Sequence, residues 1–235
     1  MAQYCLRENH VREAQVYLAS LLEYPGKVRI ENDPTKNISS ICKVSKRTVR
    51  RSFKWLLKRD WMGKDITNGW FFFRGLNWVH QVEEWKYCRG AILQSKDLSK
   101  IKSFLIGTVI SSLVKTGRVS GTGPKSRGPE QSRYPISLST LMKVLKVSRS
   151  TAYNYRNMAE KLGYIKMEPN LHQVMNLVPE DIKHIKKNNI KQVSVDLFGS
   201  PKSIHVSANR LRIKRGYVHI QRPNIIYPMI HLKKR

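Results

Sequence analysis

The chain has 235 residues, 40% of them apolar, and it carries 44 lysines and arginines against 16 aspartates and glutamates, a formal charge of +28. Such a basic chain attracts polyanions, so nucleic acid or an anionic membrane surface is the expected partner. The apolar content excludes a disordered basic tail.

The sequence also disfavours a membrane-spanning protein, a secreted protein and a small domain stabilised by metal ions or disulfides. The most apolar run, residues 104–114, is about half as long as the roughly 20 residues that span a bilayer. Residues 1–10 lack the basic start and apolar centre of a secretory signal. Cys5, Cys42 and Cys88 show neither metal-ligand nor disulfide-scaffold spacing. We therefore expect a cytoplasmic, nucleoid-associated protein with no membrane partner, metal or cofactor.

The first 90 residues predict three helices followed by a β-hairpin. Residues 13–24 and 38–42 have apolar side chains at helical spacing, and Ser45 is placed to cap a third, amphipathic helix. After that helix, residues 62–74 place Asn68-Gly69 between two β-prone runs, the pattern of a hairpin turn. Helix, helix and hairpin together outline a winged helix.

The same pattern occurs a second time in the chain. Residues 38–64 align without gaps onto residues 141–167 at an offset of 103. Most identities lie at the start of the third helix, and the apolar positions are kept, so we expect a structural duplication. The identical pairs are Lys43/Lys146, Val44/Val147, Ser45/Ser148, Thr48/Thr151 and Lys58/Lys161.

The second copy follows the same order of elements. Residues 100–114 predict its first helix, residues 141–145 its second, and Ser148 caps its third. The hairpin is predicted over residues 164–178, with Pro169-Asn170 as the turn.

Two segments lie outside the repeat. Residues 117–135 are rich in Gly, Ser and Pro, which predicts a flexible insert that is either functional or disordered. Residues 181–235 begin with a basic helical stretch and then alternate basic and apolar residues as strands do. We expect an α+β fold, mostly α, with winged-helix domains at 1–90 and 91–180 and a basic C-terminal extension at 181–235.

Both third helices resemble a known DNA-binding signature. Residues 44–62, VSKRTVRRSFKWLLKRDWM, and 147–165, VSRSTAYNYRNMAEKLGYI, resemble the recognition-helix motif of GntR-type and MarR-type winged-helix transcription regulators. Asp60 stands where that motif has a glycine before the wing, whereas the second copy keeps Gly163. The resemblance covers under half of the chain, and nothing else in it looks like an effector domain, so no small-molecule ligand is implied.

The resemblance also implies which side chains contact DNA. The family's contacts are the serine, the following basic residue, the threonine and the next exposed polar position. Carried over by position, they are Ser45, Lys46, Thr48 and Arg50 in the first copy and Ser148, Arg149, Thr151 and Tyr153 in the second.

Charge and helical spacing extend this set. One α-helix fits the major groove, where Arg pairs with guanine and Asn with adenine, so the two copies are expected to read different sequences. The wing hairpins and the C-terminal extension are expected to lie close to the DNA phosphates. The added candidates are Arg47, Arg51, Lys54, Ser150, Asn154 and Asn157 on the helices, Lys64, Arg74 and Lys166 in the wings, and Arg210, Arg212, Lys214 and Arg215 in the extension.

Simpler interpretations compete with these. A basic helix face is often only solvated, and the cations of the extension could belong to a solvated tail or a dimer strand. Trp70, Phe71, Phe72 and Phe73 could stack on bases, as in single-strand binders. Packing of a wing strand on its own core explains them more simply.

We hypothesise a sequence-specific transcription regulator that binds double-stranded DNA as a monomer or homodimer and contacts the transcription or replication machinery. The alternative is a plasmid or phage replication initiator that binds repeated origin sites. A third hypothesis is a DNA-rearrangement enzyme with Tyr227 as nucleophile beside Arg210 and His219. The sequence has no phosphate-binding loop and no metal motif, which favours a protein that is not an enzyme.

Overall fold

The computed structural model describes residues 1–85, 90–120, 133–200, 202–230 and 232–233. These residues form an α+β protein, as predicted, and they contain ten α-helices and small antiparallel sheets. The helices are α1 (Ala2–Arg7), α2 (Val11–Glu23), α3 (Pro34–Cys42), α4 (Lys46–Lys58), α5 (Leu76–Val82), α6 (Ser95–Leu98), α7 (Ile101–Ser120), α8 (Leu138–Leu145), α9 (Arg149–Lys161) and α10 (Pro179–Lys187). The strands are β1 (Lys27–Arg29), β2 (Met62–Asp65), β3 (Trp70–Phe73), β4 (Gly90–Ala91), β5 (Tyr134–Pro135), β6 (Ile165–Gln173), β7 (Gln192–Val195), β8 (Ile204–Ser207), β9 (Leu211–Lys214), β10 (Tyr217–Pro228) and β11 (Leu232–Lys233). None of the helices within these ranges has the length and apolarity that a bilayer crossing requires.

The first copy forms a three-stranded sheet on the helices α2, α3 and α4. Strand β1 lies between α2 and α3 in the chain, and the strand order is β1-β3-β2. The predicted hairpin between β2 and β3 is confirmed. Its loop has four residues rather than two, because the Asp65 carboxylate accepts hydrogen bonds from the backbone N–H and side-chain amide of Asn68 and only Gly69 adopts positive φ.

The second copy has the same strand order, but its last strand comes from a distant part of the chain. Strand β5 lies between α7 and α8, and the order is β5-β10-β6. The predicted turn at Pro169-Asn170 is wrong, because β6 runs straight through it and pairs with β10. Proline has no N–H to donate to a neighbouring strand. Pro169 lies opposite the register shift between Arg222 and Ile225, where the regular hydrogen-bond pattern is already interrupted, so β6 can contain it.

Between β6 and β10 the chain builds a second, smaller core. Helix α10 and strands β7, β8 and β9 surround it, with Val174, Ile182, Leu197 and Ile220 among its buried residues. Residues 217–228, predicted as part of a separate C-terminal extension, are instead strand β10 of the second sheet. The boundary drawn at residue 181 therefore passes through one sheet.

The predicted insert differs from expectation at both ends. Helix α7 continues to Ser120, and residues 134–135 form β5, which pairs with β10. Residues 121–132, the rest of that insert, lie outside the described residues.

The two copies share one hydrophobic core rather than two. A single cluster of buried side chains includes Ile38 and Leu56 of the first copy with Leu141 and Ile165 of the second. Helix α1 packs against α7 and α8, and the Gln3 side chain donates to the Val144 carbonyl over 3.0 Å. This shared packing fixes the position of α4 relative to α9.

Candidate nucleic-acid interface

Helix α4 exposes the basic face that the sequence predicted. The Ser45 hydroxyl caps the helix by accepting from the Thr48 backbone N–H over 3.2 Å, while Val49, Phe53 and other apolar residues are buried. Thr48 is half-buried, and its hydroxyl lies 2.9 Å from that of Ser45. The exposed cations of α4 are Lys46, Arg47, Arg50, Arg51, Lys54 and Lys58.

Helix α9 repeats this arrangement with different chemistry. Ser148 accepts from the Thr151 backbone N–H over 3.2 Å, and Ala152 and Ala159 face the core. Tyr153 is 48% exposed, and the Arg156 guanidinium lies 5.7 Å from its ring centre. The predicted candidates Ser148, Arg149, Ser150, Tyr153 and Asn154 are exposed, whereas Thr151 and Asn157 are half-buried.

The backbone geometry of both turns matches at the same offset of 103 residues. Lys43 and Lys146, which end α3 and α8, both have positive φ, at 53° and 52°. Asp60 adopts φ of +55° where Gly163 adopts +75°. The departure from the glycine of the motif therefore leaves the backbone unchanged and adds a carboxylate, which lies 3.6 Å from Arg74 and accepts from the Trp78 indole over 3.1 Å.

One carboxylate lies beside the N-terminal end of α4. A hydrogen bond from Thr35, together with the nearby Lys46 and Arg50 cations, holds the pKa of Asp33 below its usual value. Asp33 therefore stays ionised at neutral pH, 3.5 Å from the Lys46 ammonium. Exposed pairs of this kind contribute little, so an approaching phosphate can replace Asp33 as the partner of Lys46.

The three predicted wing cations differ in their partners. Lys64 is exposed on β2, with its ammonium 5.9 Å from the Phe71 ring centre. Arg74 is ion-paired with Asp60, and Lys166 lies 3.1 Å from the Glu168 carboxylate. Two of the three cations thus have a carboxylate neighbour, which the sequence pattern did not reveal.

The predicted C-terminal cations surround a tight hairpin. Strands β9 and β10 are joined by Arg215 and Gly216, both with positive φ. This turn was not predicted from the sequence, although its glycine was a signal for it. Arg210, Arg212, Lys214 and Arg215 are all exposed, and the Arg212 guanidinium also donates to the carbonyls of Asn209 and Leu211 over 2.7 and 2.8 Å. Nearby α10 adds three exposed cations that were not among the candidates, namely Lys183, Lys186 and Lys187.

Two of the residues considered for strand cleavage, His219 and Tyr227, are not brought together. His219 and Tyr227 are eight residues apart in β10, roughly 26 Å at about 3.3 Å per residue. The Tyr227 hydroxyl instead donates to the Glu168 carboxylate over 2.7 Å. In the described ranges, no group of three or more His, Cys, Asp or Glu side chains is arranged to hold a metal ion.

The candidate interface thus consists of two capped helices with equivalent backbone geometry and different exposed side chains, held on one core. In comparisons with known proteins, the chain matches no family, and no curated protein or solved structure is detectably similar to it.

Proposed function

We propose that the chain is a transcription regulator that binds double-stranded DNA in a sequence-specific manner through two winged-helix units. The proposal draws on the element order, which is helix, strand, helix, helix, strand, strand in the first copy, with the last strand central in the sheet. The second copy has the same order and the same central strand once α10, β7, β8 and β9, which are inserted between β6 and β10, are set aside. In this assignment α4 and α9 are the recognition helices. The wing of the first unit is the β2–β3 hairpin, and that of the second is the β6–β10 ribbon with its small core.

The charge of α4 is the observation that carries the proposal. Residues 46–58 contain six basic and no acidic residues, and all of the basic ones are exposed. Solvated protein surfaces usually intersperse both signs of charge. A duplex carries one phosphate charge per about 1.7 Å of its axis and therefore attracts a face that carries cations alone. An exposed arginine in the first turns, such as Arg50, can also form the bidentate pair with guanine.

Helix α9 complements α4 with amide and hydroxyl groups. Asn154 is exposed and offers the donor and acceptor pair that matches adenine, while Ser150 can bond to several bases. Because one core holds both helices, a single chain presents two different readers at a fixed separation. We infer that one molecule occupies an asymmetric site of roughly two half-sites, about 20 base pairs, without a palindrome.

Selection of bound sequences from a random duplex pool, followed by substitution, tests the proposal. Arg50→Ala should weaken binding to the selected site by about 1–3 kcal/mol and relax the preference at one base pair. Lys183→Ala, on α10, is the matched control; it should weaken the selected and a scrambled duplex equally, or not at all.

Equal losses on both duplexes for Arg50→Ala would contradict the assignment of α4, because a phosphate contact carries no sequence information. The arrangement of selected sites in a genome separates the biological roles. A single operator beside a promoter supports regulation, and an array of direct repeats beside an AT-rich stretch supports replication initiation.

A further inference from the structure

The aromatic run of β3 is divided between two faces of the first sheet. Phe71 and Phe73 pack inward, with ring centres 5.8 and 6.0 Å from that of Phe53 on α4. Successive strand residues point to opposite faces, so Trp70 and Phe72 lie on the outer face, away from α4. Both are half-exposed, and neither belongs to the hydrophobic core cluster.

Cations surround these outer rings. In the ladder between β1 and β3, Lys27 is the partner of Phe72 and Arg29 is the partner of Trp70, which places both on the outer face. The Lys27 ammonium lies 4.6 Å from the Trp70 ring centre, and the Arg29 guanidinium carbon 5.2 Å. Between them, Val28 is buried against the core.

The same face continues toward α5. Arg74 follows Phe72 by two residues, and its guanidinium carbon lies 4.8 Å from the ring centre of Trp78, which is 42% exposed. Gly63 is opposite Phe72, and the ring of Phe72 and the Arg74 guanidinium lie within 4 Å of where a side chain would begin. We call this surface the aromatic–basic strip; it consists of Lys27, Arg29, Trp70, Phe72, Arg74 and Trp78.

Exposed rings interleaved with cations have a specific chemical use. An aromatic face stacks on a base, and a neighbouring cation pairs with its phosphate. Duplex DNA offers only base edges in its grooves, so its bases cannot lie on these rings. Trp70 and Phe72 are two strand residues apart, about 6.6 Å, or twice the 3.4 Å between stacked bases of one strand. Each ring can therefore take one base of an extended, unstacked strand.

The carboxylates near the strip do not cancel its charge for such a ligand. Arg29 lies 3.1 Å from Glu31, with the two side chains 56% and 68% exposed, and Arg74 lies 3.6 Å from Asp60. Exposed ion pairs of this type contribute little and are screened by salt. A phosphate can therefore take the place of either carboxylate, and Lys27 has no ion pair closer than 4 Å to a described carboxylate.

We propose that the aromatic–basic strip is a binding site for single-stranded nucleic acid, with bases stacked on Trp70 and Phe72 and phosphates held by Lys27, Arg29 and Arg74. The strip is separate from the recognition helix α4, because α4 packs on the opposite face of the same sheet through Phe53. It shares the wing residue Arg74 with the proposed duplex interface. A chain with both sites would bind a duplex through α4 and a single strand through the strip.

Fluorescence anisotropy with labelled oligo(dT) and oligo(rU) of about 15 nucleotides tests the site on the full chain. Trp70→Ala and Phe72→Ala should each weaken single-strand binding by about tenfold, and Trp70→Tyr should restore most of it, since a tyrosine ring still stacks. The double substitution Lys27→Gln and Arg29→Gln should lower the log–log salt slope by about 1.4, because each phosphate contact to a single strand contributes about 0.7. Comparison of the two oligonucleotides shows whether the strip accepts DNA, RNA or both.

Two controls separate this site from the rest of the molecule. Phe198→Ala removes an aromatic ring that is 77% exposed on the small core and should leave single-strand binding unchanged. Arg50→Ala should weaken binding of the selected duplex while single-strand binding stays at the level of the parent chain.

The proposal is overturned if Trp70→Ala and Phe72→Ala bind oligo(dT) and oligo(rU) as the parent chain does. It is also overturned if Trp70→Ala halves the mass of the particle in solution while single-strand affinity is unchanged, because the strip would then be a contact between copies.

Discussion

Gln15→Leu tests whether the two copies are held together by a specific buried contact. Gln15 lies on α2 and is 2% exposed. Its side-chain amide donates to the carbonyl of Cys42, at the end of α3, over 3.1 Å and to the carbonyl of Leu98, at the end of α6, over 2.7 Å. Its oxygen accepts from Arg12 over 2.6 Å. One side chain thus ties the first copy to the segment that leads into the second.

Leucine has a similar size but provides no donor. Two buried carbonyls would then lose their partner, at about 1–3 kcal/mol each. The additional apolar burial returns roughly 1–2 kcal/mol, so the expected net loss in the free energy of unfolding is about 2–3 kcal/mol. For a chain of this size such a loss lowers the melting temperature by about 4–12 °C.

Urea denaturation followed by circular dichroism measures this loss. Gln192→Leu, an exposed glutamine on β7, is the matched control and should change stability by less than about 0.5 kcal/mol. If Gln15→Leu were as mild as the control, the Gln15 amide would not be a fixed link between the copies.

Two further predictions concern the local structure of the interface and its support. Ser45→Ala and Ser148→Ala should each lower the free energy of unfolding by about 1 kcal/mol in thermal denaturation, because each removes the hydroxyl that caps its helix. A loss for only one of the two variants would contradict the equivalence of the α4 and α9 caps. Burial opposes ionisation of Glu83, but hydrogen bonds from Arg59 and Trp61 outweigh it and lower the pKa of this carboxyl below its ordinary value of 4.5. The contribution of ionised Glu83 to stability is therefore complete above pH 4.5 and is lost as the pH falls through the pKa of the folded state. In urea denaturation midpoints measured against pH, Glu83→Gln should remove this part of the loss of stability in acid. An acid profile that is unchanged in Glu83→Gln would refute the prediction.

The sequence by itself determined the features that depend on neighbours three or four residues apart. The caps Ser45 and Ser148, the buried stripe of α4 and the exposed cations Lys46 and Arg50 follow from helical periodicity and hydroxyl chemistry. Once these features of α4 were predicted, the repeat predicted the corresponding features of α9. These predictions succeeded because a helix forms its hydrogen bonds within its own segment.

Only the tertiary structure decided which distant segments meet. The Pro169-Asn170 turn signal was overridden because β6 buries Ile165 in the core, packs the half-buried Met167 against it and pairs with β10, which begins more than forty residues later. The split of the β3 aromatic run into core and outer rings likewise depended on its register with β1. The alternation of apolar residues along a strand predicts that one face is buried. Which strand completes its hydrogen bonds depends on packing across the whole chain, and the local sequence does not encode that partner.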